Sequence, residues 1–114
     1  MANTFKLSSK AGVTSLDVIY TAGSGKTAIV LGLILGNTTT SQVTVTVTLS
    51  SDTANRAGAN NEANQDIEIV TNAAVPAGSA HSVLDGKIVM ETTDVLKVTA
   101  TGATDVIVSM MDIT

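Results

Sequence analysis

Residues 42–51 read QVTVTVTLSS and alternate strictly between apolar and polar side chains. One parity carries the apolar residues Val43, Val45, Val47 and Leu49, and the other carries threonines. Because successive side chains of a β-strand point to opposite faces of the sheet, this stretch predicts a strand with one buried face and one solvated face. Its β-branched residues are stiff at χ1 and suit a pleated, half-buried surface. The segment therefore indicates a β fold.

Strand signals recur along the chain, which gives about eight strands in total. The stretch 28–35 is apolar on both parities and predicts a strand that is covered on both faces. Asp85-Gly86 separates two short apolar runs and predicts a β-hairpin. We find no stripe with the helical period, and we expect a single-domain, all-β protein, an antiparallel β-sandwich or jelly roll over residues 1–114. The other predicted strands are 14–20, 42–51, 66–71, 80–84, 87–91, 94–101 and 105–114.

Two segments lie outside this strand pattern. Residues 1–10 (MANTFKLSSK) predict an extended N-terminal arm, and residues 52–65 (DTANRAGANNEANQ) predict a long surface loop. A loop of Asn, Ala and Gly has little drive to fold alone, so contact with a neighbouring subunit would offset its entropy cost. We therefore predict that both segments lie at interfaces, with the contact residues Phe5, Leu7, Arg56, Asn60, Asn61 and Glu62.

The sequence GSGKT at residues 23–27 matches the second half of a phosphate-binding P-loop. The first glycine of that motif would fall at Tyr20, whose side chain obstructs the close backbone approach that glycine permits. A P-loop also requires a helix after its Ser or Thr, whereas residues 28–35 favour a strand. We interpret 23–27 as a glycine-rich hairpin turn with a solvated Lys26.

Candidate catalytic and metal-binding groups are few. The absence of cysteine removes disulfides, thiolate ligands and cysteine nucleophiles, and His81 is the only histidine. The carboxylates of Asp85, Glu91 and Asp94 lie close together in sequence and are best explained as turn caps, with a Ca²⁺ site as the alternative. We therefore predict no catalytic residues, no cofactor and no metal.

Charge and composition constrain the partners. A net charge of -4 opposes binding to phosphate backbones, and two aromatic residues do not make a base-stacking platform, so we predict no nucleic-acid partner. The longest apolar run is far shorter than the roughly 20 residues that span a bilayer, and residues 1–10 carry no secretory signal, so we also predict no membrane partner. Only 14% of residues are charged, a composition closer to interfaces than to free surfaces. It predicts a homo-oligomer, such as a trimer.

Several stretches resemble small structural proteins of tailed bacteriophages, especially those of cyanophages. The resemblance rests on TFKL, VIYTAGSGKTAIVLGLILGNTT, SQVTVTVTL, VPAGSAHSVLDGKIVMETTDVLKVTAT and DVIVSMMDIT, and it excludes the 52–65 loop. It implies a β-sandwich subunit that repeats on a virion, assembles in the host cytoplasm, and contacts other virion proteins such as the major capsid or tail proteins. No catalytic residue is implied.

Two classes of function follow from these observations. The first is a non-enzymatic particle component, either a capsid decoration (cement) protein or a neck, collar or tail subunit. The alternative is a carbohydrate- or receptor-binding β-sandwich module of a host-adhesion device. Carbohydrate sites usually rely on aromatic platforms, and this chain offers only Phe5 and Tyr20, so the first class is favoured.

Overall fold

The computed structural model describes residues 3–51, 65–83 and 87–113. Within these ranges the chain forms nine strands and no helix, which confirms the predicted all-β class. The strands are β1 (Asn3–Val13), β2 (Asp17–Thr21), β3 (Thr27–Asn37), β4 (Val43–Ser51), β5 (Gln65–Val75), β6 (Ala80–Ser82), β7 (Ile88–Met90), β8 (Val95–Ala100) and β9 (Thr104–Ile113).

The strands build two antiparallel sheets that face each other as a β-sandwich. Sheet A has five strands in the order β1-β9-β3-β6, and β7 also pairs with β3. Sheet B has four strands in the order β2-β8-β4-β5. The core between the sheets consists of aliphatic side chains, the largest of them being Leu33, Leu35, Met90, Met110, Val30, Val45, Val47, Val75, Val98, Val106 and Val108.

Strand β4 has the two-sided character that residues 42–51 predict. Val43, Val45 and Val47 are buried in the core, whereas Thr46 lies on the opposite face and is half-buried. The neighbouring strand β8 alternates in the same way, and the register pairs Val47 with Val98. The centre of sheet B therefore follows directly from the period-2 pattern.

Residues 3–10 do not form a free arm. They belong to β1, which pairs with β9 from Asn3 opposite Ile113 to Lys10 opposite Val106 and adds the ninth strand to the predicted eight. An extended segment leaves its backbone N–H and C=O groups unpaired, and the edge of β9 supplies partners for them. The other predicted interface segment, the loop 52–65, lies outside the described residues except for Gln65, which begins β5.

The predicted hairpin around Asp85-Gly86 is not formed, because β6 and β7 do not pair with each other. Strand β6 pairs with β3 at residues 34–36, and β7 pairs with it at residues 28–30. One edge of the eleven-residue strand β3 therefore accepts both short strands in turn. Asp85 and Gly86 themselves lie outside the described ranges.

The GSGKT segment is a turn, as predicted, but it links the two sheets instead of closing a hairpin, since β2 lies in sheet B and β3 in sheet A. The Lys26 backbone N–H donates to the Gly23 carbonyl at 3.1 Å. Gly25 has a φ of 71°, and its N–H donates to the Thr92 hydroxyl at 2.9 Å. A strand begins at Thr27 where a P-loop would require a helix.

The adjacent residues Val98 and Thr99 provide a test of this register. Val98→Asp places a charge in the core and is expected to cost several kcal/mol of the roughly 5 to 15 kcal/mol that stabilise a domain. Thr99→Asp lies on the outer face of sheet B and is expected to cost about 1 kcal/mol or less. Urea unfolding measures both values. Equal losses for the two variants would contradict the assigned faces.

Candidate interaction surface

The outer face of sheet A, which points away from sheet B, carries a row of apolar side chains. Phe5 on β1 lies opposite Met111 on β9, Met111 lies opposite Ile29 on β3, and Ile29 lies opposite Val89 on β7. Directly opposed residues on one face of a sheet are packing neighbours. The row therefore crosses four strands without a polar side chain.

A second pair extends this apolar surface along the sheet. Ile107 on β9 lies directly opposite Ile34 on β3. The exposed members of the face keep large fractions of their surface in solvent: Phe5 75%, Leu7 66%, Val89 55%, Ile34 48%, Ile107 47% and Leu31 38%. The exposed Ser109, opposite Leu7 and Gly32, lies between the first row and this pair. A large exposed apolar surface on a folded domain typically marks a site of interaction with another molecule.

The local sequence explains why this face is apolar. Strand β3 is apolar on both parities, and its inner parity buries Leu33 and Leu35 against sheet B. Its register shifts between Val30 and Gly32, a β-bulge at which the buried parity changes from Ala28 and Val30 to Leu33 and Leu35. The sequence predicts that both faces of 28–35 are covered, whereas the described residues of a single chain cover only one. Within the described residues of this chain, no other element covers the outer face of β3.

The outer face of sheet B differs in character. Thr46 lies opposite Thr99, and Thr48 lies opposite Lys97. The Lys97 Nζ lies 3.5 Å from an Asp66 carboxylate oxygen on the same face. This face is mainly polar, although Val18, opposite Lys97, is an exposed apolar residue on it. The molecule therefore has one mainly polar side and one more apolar side.

Each sheet also ends in a long edge strand, β1 in sheet A and β5 in sheet B. Both strands have eleven residues, and among the described residues each pairs with one neighbour only. Val13 is the single buried residue of β1, so this strand adds little to the core. Unpaired edge groups are a template for pairing with another chain. We call the apolar outer face of sheet A together with these two edges the interaction surface.

An ion pair fastens β1 to the sandwich. The Lys6 Nζ lies 2.9 Å from Asp112 Oδ2, and Asp112 on β9 is only 2% exposed. Its hydrogen bond with Lys6 is the main cause that holds the pKa of Asp112 below its usual value. Burial, followed by the charge of Asp112, raises the pKa of Tyr20 on β2. The Ser8 hydroxyl adds a 2.7 Å hydrogen bond to the carbonyl of Ile19.

The described residues contain no ligand-sized cavity and no cluster of three or more His, Asp or Glu side chains that would hold a metal. The Glu91 N–H donates to an Asp94 carboxylate oxygen at 3.0 Å, the turn-capping role predicted for Asp94. No helix in these ranges has the length and apolar content needed to cross a bilayer.

The predicted interface residues divide into two groups. Phe5 and Leu7 lie on the exposed outer face of sheet A, whereas Arg56, Asn60, Asn61 and Glu62 lie outside the described residues. The sequence did not predict an interface role for the other exposed or half-buried residues of the apolar face, namely Ile29, Leu31, Ile34, Val89 and Ile107. The sequence feature that could have identified this face is that β3 and β9 carry apolar residues at both odd and even positions.

The structure belongs to the class of antiparallel β-sandwich domains. Comparison with known proteins shows a similarity to one solved structure. No protein-family profile and no curated protein matches the chain. Among solved structures, a chain of the Bacillus endospore appendages, described as "a novel family of disulfide-linked pili", aligns with 99% of this chain and 87% of its own length. The TM-score is 0.51 and the sequence identity is 17%. At that identity the likeness shows a shared fold alone.

The Lys6–Asp112 pair predicts a distinctive pH dependence. Lys6→Met leaves the buried carboxylate without its cation, so we expect a lower melting temperature at pH 7. Wild type loses the contribution of this pair as the pH falls below the ordinary Asp value of 3.8 and through the lower folded-state pKa. In the variant, burial is the largest remaining influence on Asp112 and raises its pKa, against the smaller lowering effects of a Tyr20 hydrogen bond and the Lys26 charge, so acid reduces the penalty.

The difference between wild type and Lys6→Met should therefore shrink as the pH falls from 7 to 3. Lys10→Met is the matched control, because it removes the same charge from the same strand and no ion pair is seen for Lys10 among the described residues. Thermal unfolding across this pH range measures both variants. A difference for Lys6→Met that stays constant with pH would contradict the assigned role of the pair.

Proposed function

We propose that this protein is a non-enzymatic structural subunit that assembles with copies of itself into a repeating particle. The observation that carries the proposal is the exposed apolar outer face of sheet A, on which Phe5, Ile34, Val89 and Ile107 are each about half exposed or more. Apolar surface gains roughly 25 cal/mol for each Å² removed from water. A subunit with this face has a strong drive to cover it.

The size of the domain suits weak contacts that are repeated many times. A typical interface buries about 800 Å² on each partner, and an edge strand beside an apolar face offers a surface of this kind. Single contacts of modest affinity hold firmly when symmetry repeats them on one particle. The polar outer face of sheet B keeps the subunit soluble until it assembles.

We propose a phage virion as the particle. The support is the sequence resemblance to small structural proteins of tailed phages, which covers most of the chain outside residues 52–65. The subunit would decorate or cement the capsid, or form part of the neck, collar or tail, beside the major capsid or tail proteins. Assembly would take place in the host cytoplasm.

A pilus-like appendage is the second candidate, because the fold likeness involves a pilus subunit. Those pili are described as disulfide-linked, whereas this chain has no cysteine. An appendage built from this chain would depend on strand pairing and apolar burial instead of covalent links.

A carbohydrate-binding role has less support in the geometry. Phe5 lies on the outer face of sheet A, whereas Tyr20 lies near Asp112 on the inner side. The two aromatic rings therefore do not combine into one platform for a sugar. The aliphatic side chains that fill the face favour another protein surface.

Self-association and its dependence on the outer face can be measured directly. We expect wild type to form concentration-dependent assemblies, and Ile107→Glu to weaken them by about tenfold or more, because the charge must lose its hydration when the face is covered. Thr99→Glu, on the outer face of sheet B, is the matched control and should assemble like wild type. Light scattering against concentration gives the result. A wild type that stays monomeric at all concentrations would contradict the proposed function.

The identity of the particle requires a separate measurement. Mass spectrometry of purified virions should detect the chain at a fixed copy number relative to the major capsid protein. A chain that self-assembles in solution but is absent from virions would remove the virion assignment and leave the pilus-like alternative.

A further inference from the structure

The two long edge strands carry opposite charges. Strand β1 contains Lys6 and Lys10 and no acidic residue, whereas β5 contains Asp66 and Glu68 and no basic residue. Within the subunit, Lys6 is paired with Asp112 and Asp66 with Lys97, so Lys10 and Glu68 are the charges left for a neighbouring copy. Opposite charges on adjacent strands stabilise pairing, and like charges oppose it. Each edge is therefore a poor partner for its own copy and a good partner for the other.

The two strands lie on opposite sides of the sandwich. The hydrogen bond from Ser8 to the Ile19 carbonyl places β1 beside β2, which is the first strand of sheet B. Strand β5 is the last strand of sheet B, beyond β8 and β4. A contact between β1 of one copy and β5 of another leaves a free β1 and a free β5 at the two ends. Such a head-to-tail contact grows into a ring or a filament.

The side chains on each edge strand divide into an apolar face and a polar face. On β1, Phe5 and Leu7 lie on the outer face of sheet A, while Lys6 lies opposite the buried Met110 and therefore points toward the core side. On β5, Ile67 lies opposite Leu49 on the core side, while Glu68 lies opposite Thr48 on the outer side.

Only one relative orientation of the two edges places apolar side chains beside apolar ones and lysines beside acidic residues. If the outer face of sheet A continues into the core side of the neighbour's sheet B, Phe5 and Leu7 lie beside Ile67, and the lysines lie beside the acidic residues. The opposite join would place lysines beside Ile67 and Phe5 beside Glu68, which desolvates charges without partners.

We propose that β1 of one copy pairs with β5 of the next copy in this orientation, so that sheet A of one subunit continues as sheet B of its neighbour. The inference deepens the proposed function and rests on it, since it names the contact through which copies assemble. The core side of each sheet B is covered by its own sheet A. Each subunit is therefore displaced sideways by one sheet relative to the one before it. The edge of the neighbour's sheet A then lies over the outer face of the first subunit's sheet A, near Phe5.

Charge reversal tests the pairing of the edges. Lys10→Glu and Glu68→Lys should each weaken self-association about tenfold, and high salt should weaken wild-type assembly. The two changes move the net charge in opposite directions, so a shared loss is not an effect of net charge. An equimolar mixture of the two variants should recover assembly, because every junction of an alternating array again joins opposite charges. The double variant should recover it as well.

Cross-linking tests which edges meet. The chain has no cysteine, so Ser9→Cys on β1 and Thr71→Cys on β5 introduce unique thiols at exposed positions. A bismaleimide should link the two single variants into mixed dimers, and it should convert the double variant into a ladder of multimers. Ser9→Cys combined with Thr21→Cys is the control and should give no ladder, because Thr21 is exposed on β2, at the edge of sheet B opposite β5.

The outcomes separate this inference from the proposed function. Assembly that persists in both charge variants, or cross-links that form within Ser9→Cys alone, would overturn the β1–β5 contact and leave self-assembly standing. A wild type that never assembles would remove both. Recovery in the mixture, together with the ladder, would establish the contact.

Discussion

The pairing of β3 with β9 is the interaction on which the rest of the structure depends. Ten residue pairs join these strands, from Thr27 opposite Ile113 to Asn37 opposite Thr104. The pairing joins residues 27–37 to residues 104–113 and forms the centre of sheet A. Strand β1 attaches to the far edge of β9, and β6 and β7 attach to the far edge of β3. Without this pairing, neither the core nor the apolar outer face would exist.

The same two strands connect the fold to the function. Because side chains alternate, one face of the β3–β9 pair fills the core with residues such as Leu33 and Val108, and the other face carries Ile34 and Ile107 on the outside. Folding of a single chain buries the first face only. The apolar surface that remains is available to stabilise an assembly, and the edge strands β1 and β5 supply backbone groups for the same purpose.

The sequence predicted those parts of the fold that depend on local pattern. The alternation in 42–51 identified a two-sided strand, and the β-branched character of 28–35 identified the strand after GSGKT. The sequence did not predict that residues 3–10 join β9 or that β6 and β7 share the edge of β3. These pairings depend on which strand edges remain free after the sheets form, and local pattern does not contain that information.

The candidate surface was predicted in part for a related reason. Phe5 and Leu7 stand out as apolar residues in a polar segment, whereas Ile107 and Val89 lie in ordinary strand patterns. Assigning them to an exposed face requires knowing which side of sheet A meets sheet B. In addition, the opposite charges of β1 and β5 bear on strand pairing between subunits only because both are edge strands, which the sequence does not show.

Hydrogen exchange measured as a function of protein concentration tests whether β1 and β5 become covered together when the subunits assemble. In dilute protein the edge amides of β1 and β5 should exchange rapidly, because edge groups without partners are open to solvent. As the protein assembles, we expect protection to rise together in residues 3–10 and 65–71, while the amides of the outer threonines of sheet B stay unchanged. Assembly that leaves both edges rapidly exchanging would contradict the proposed pairing of β1 with β5.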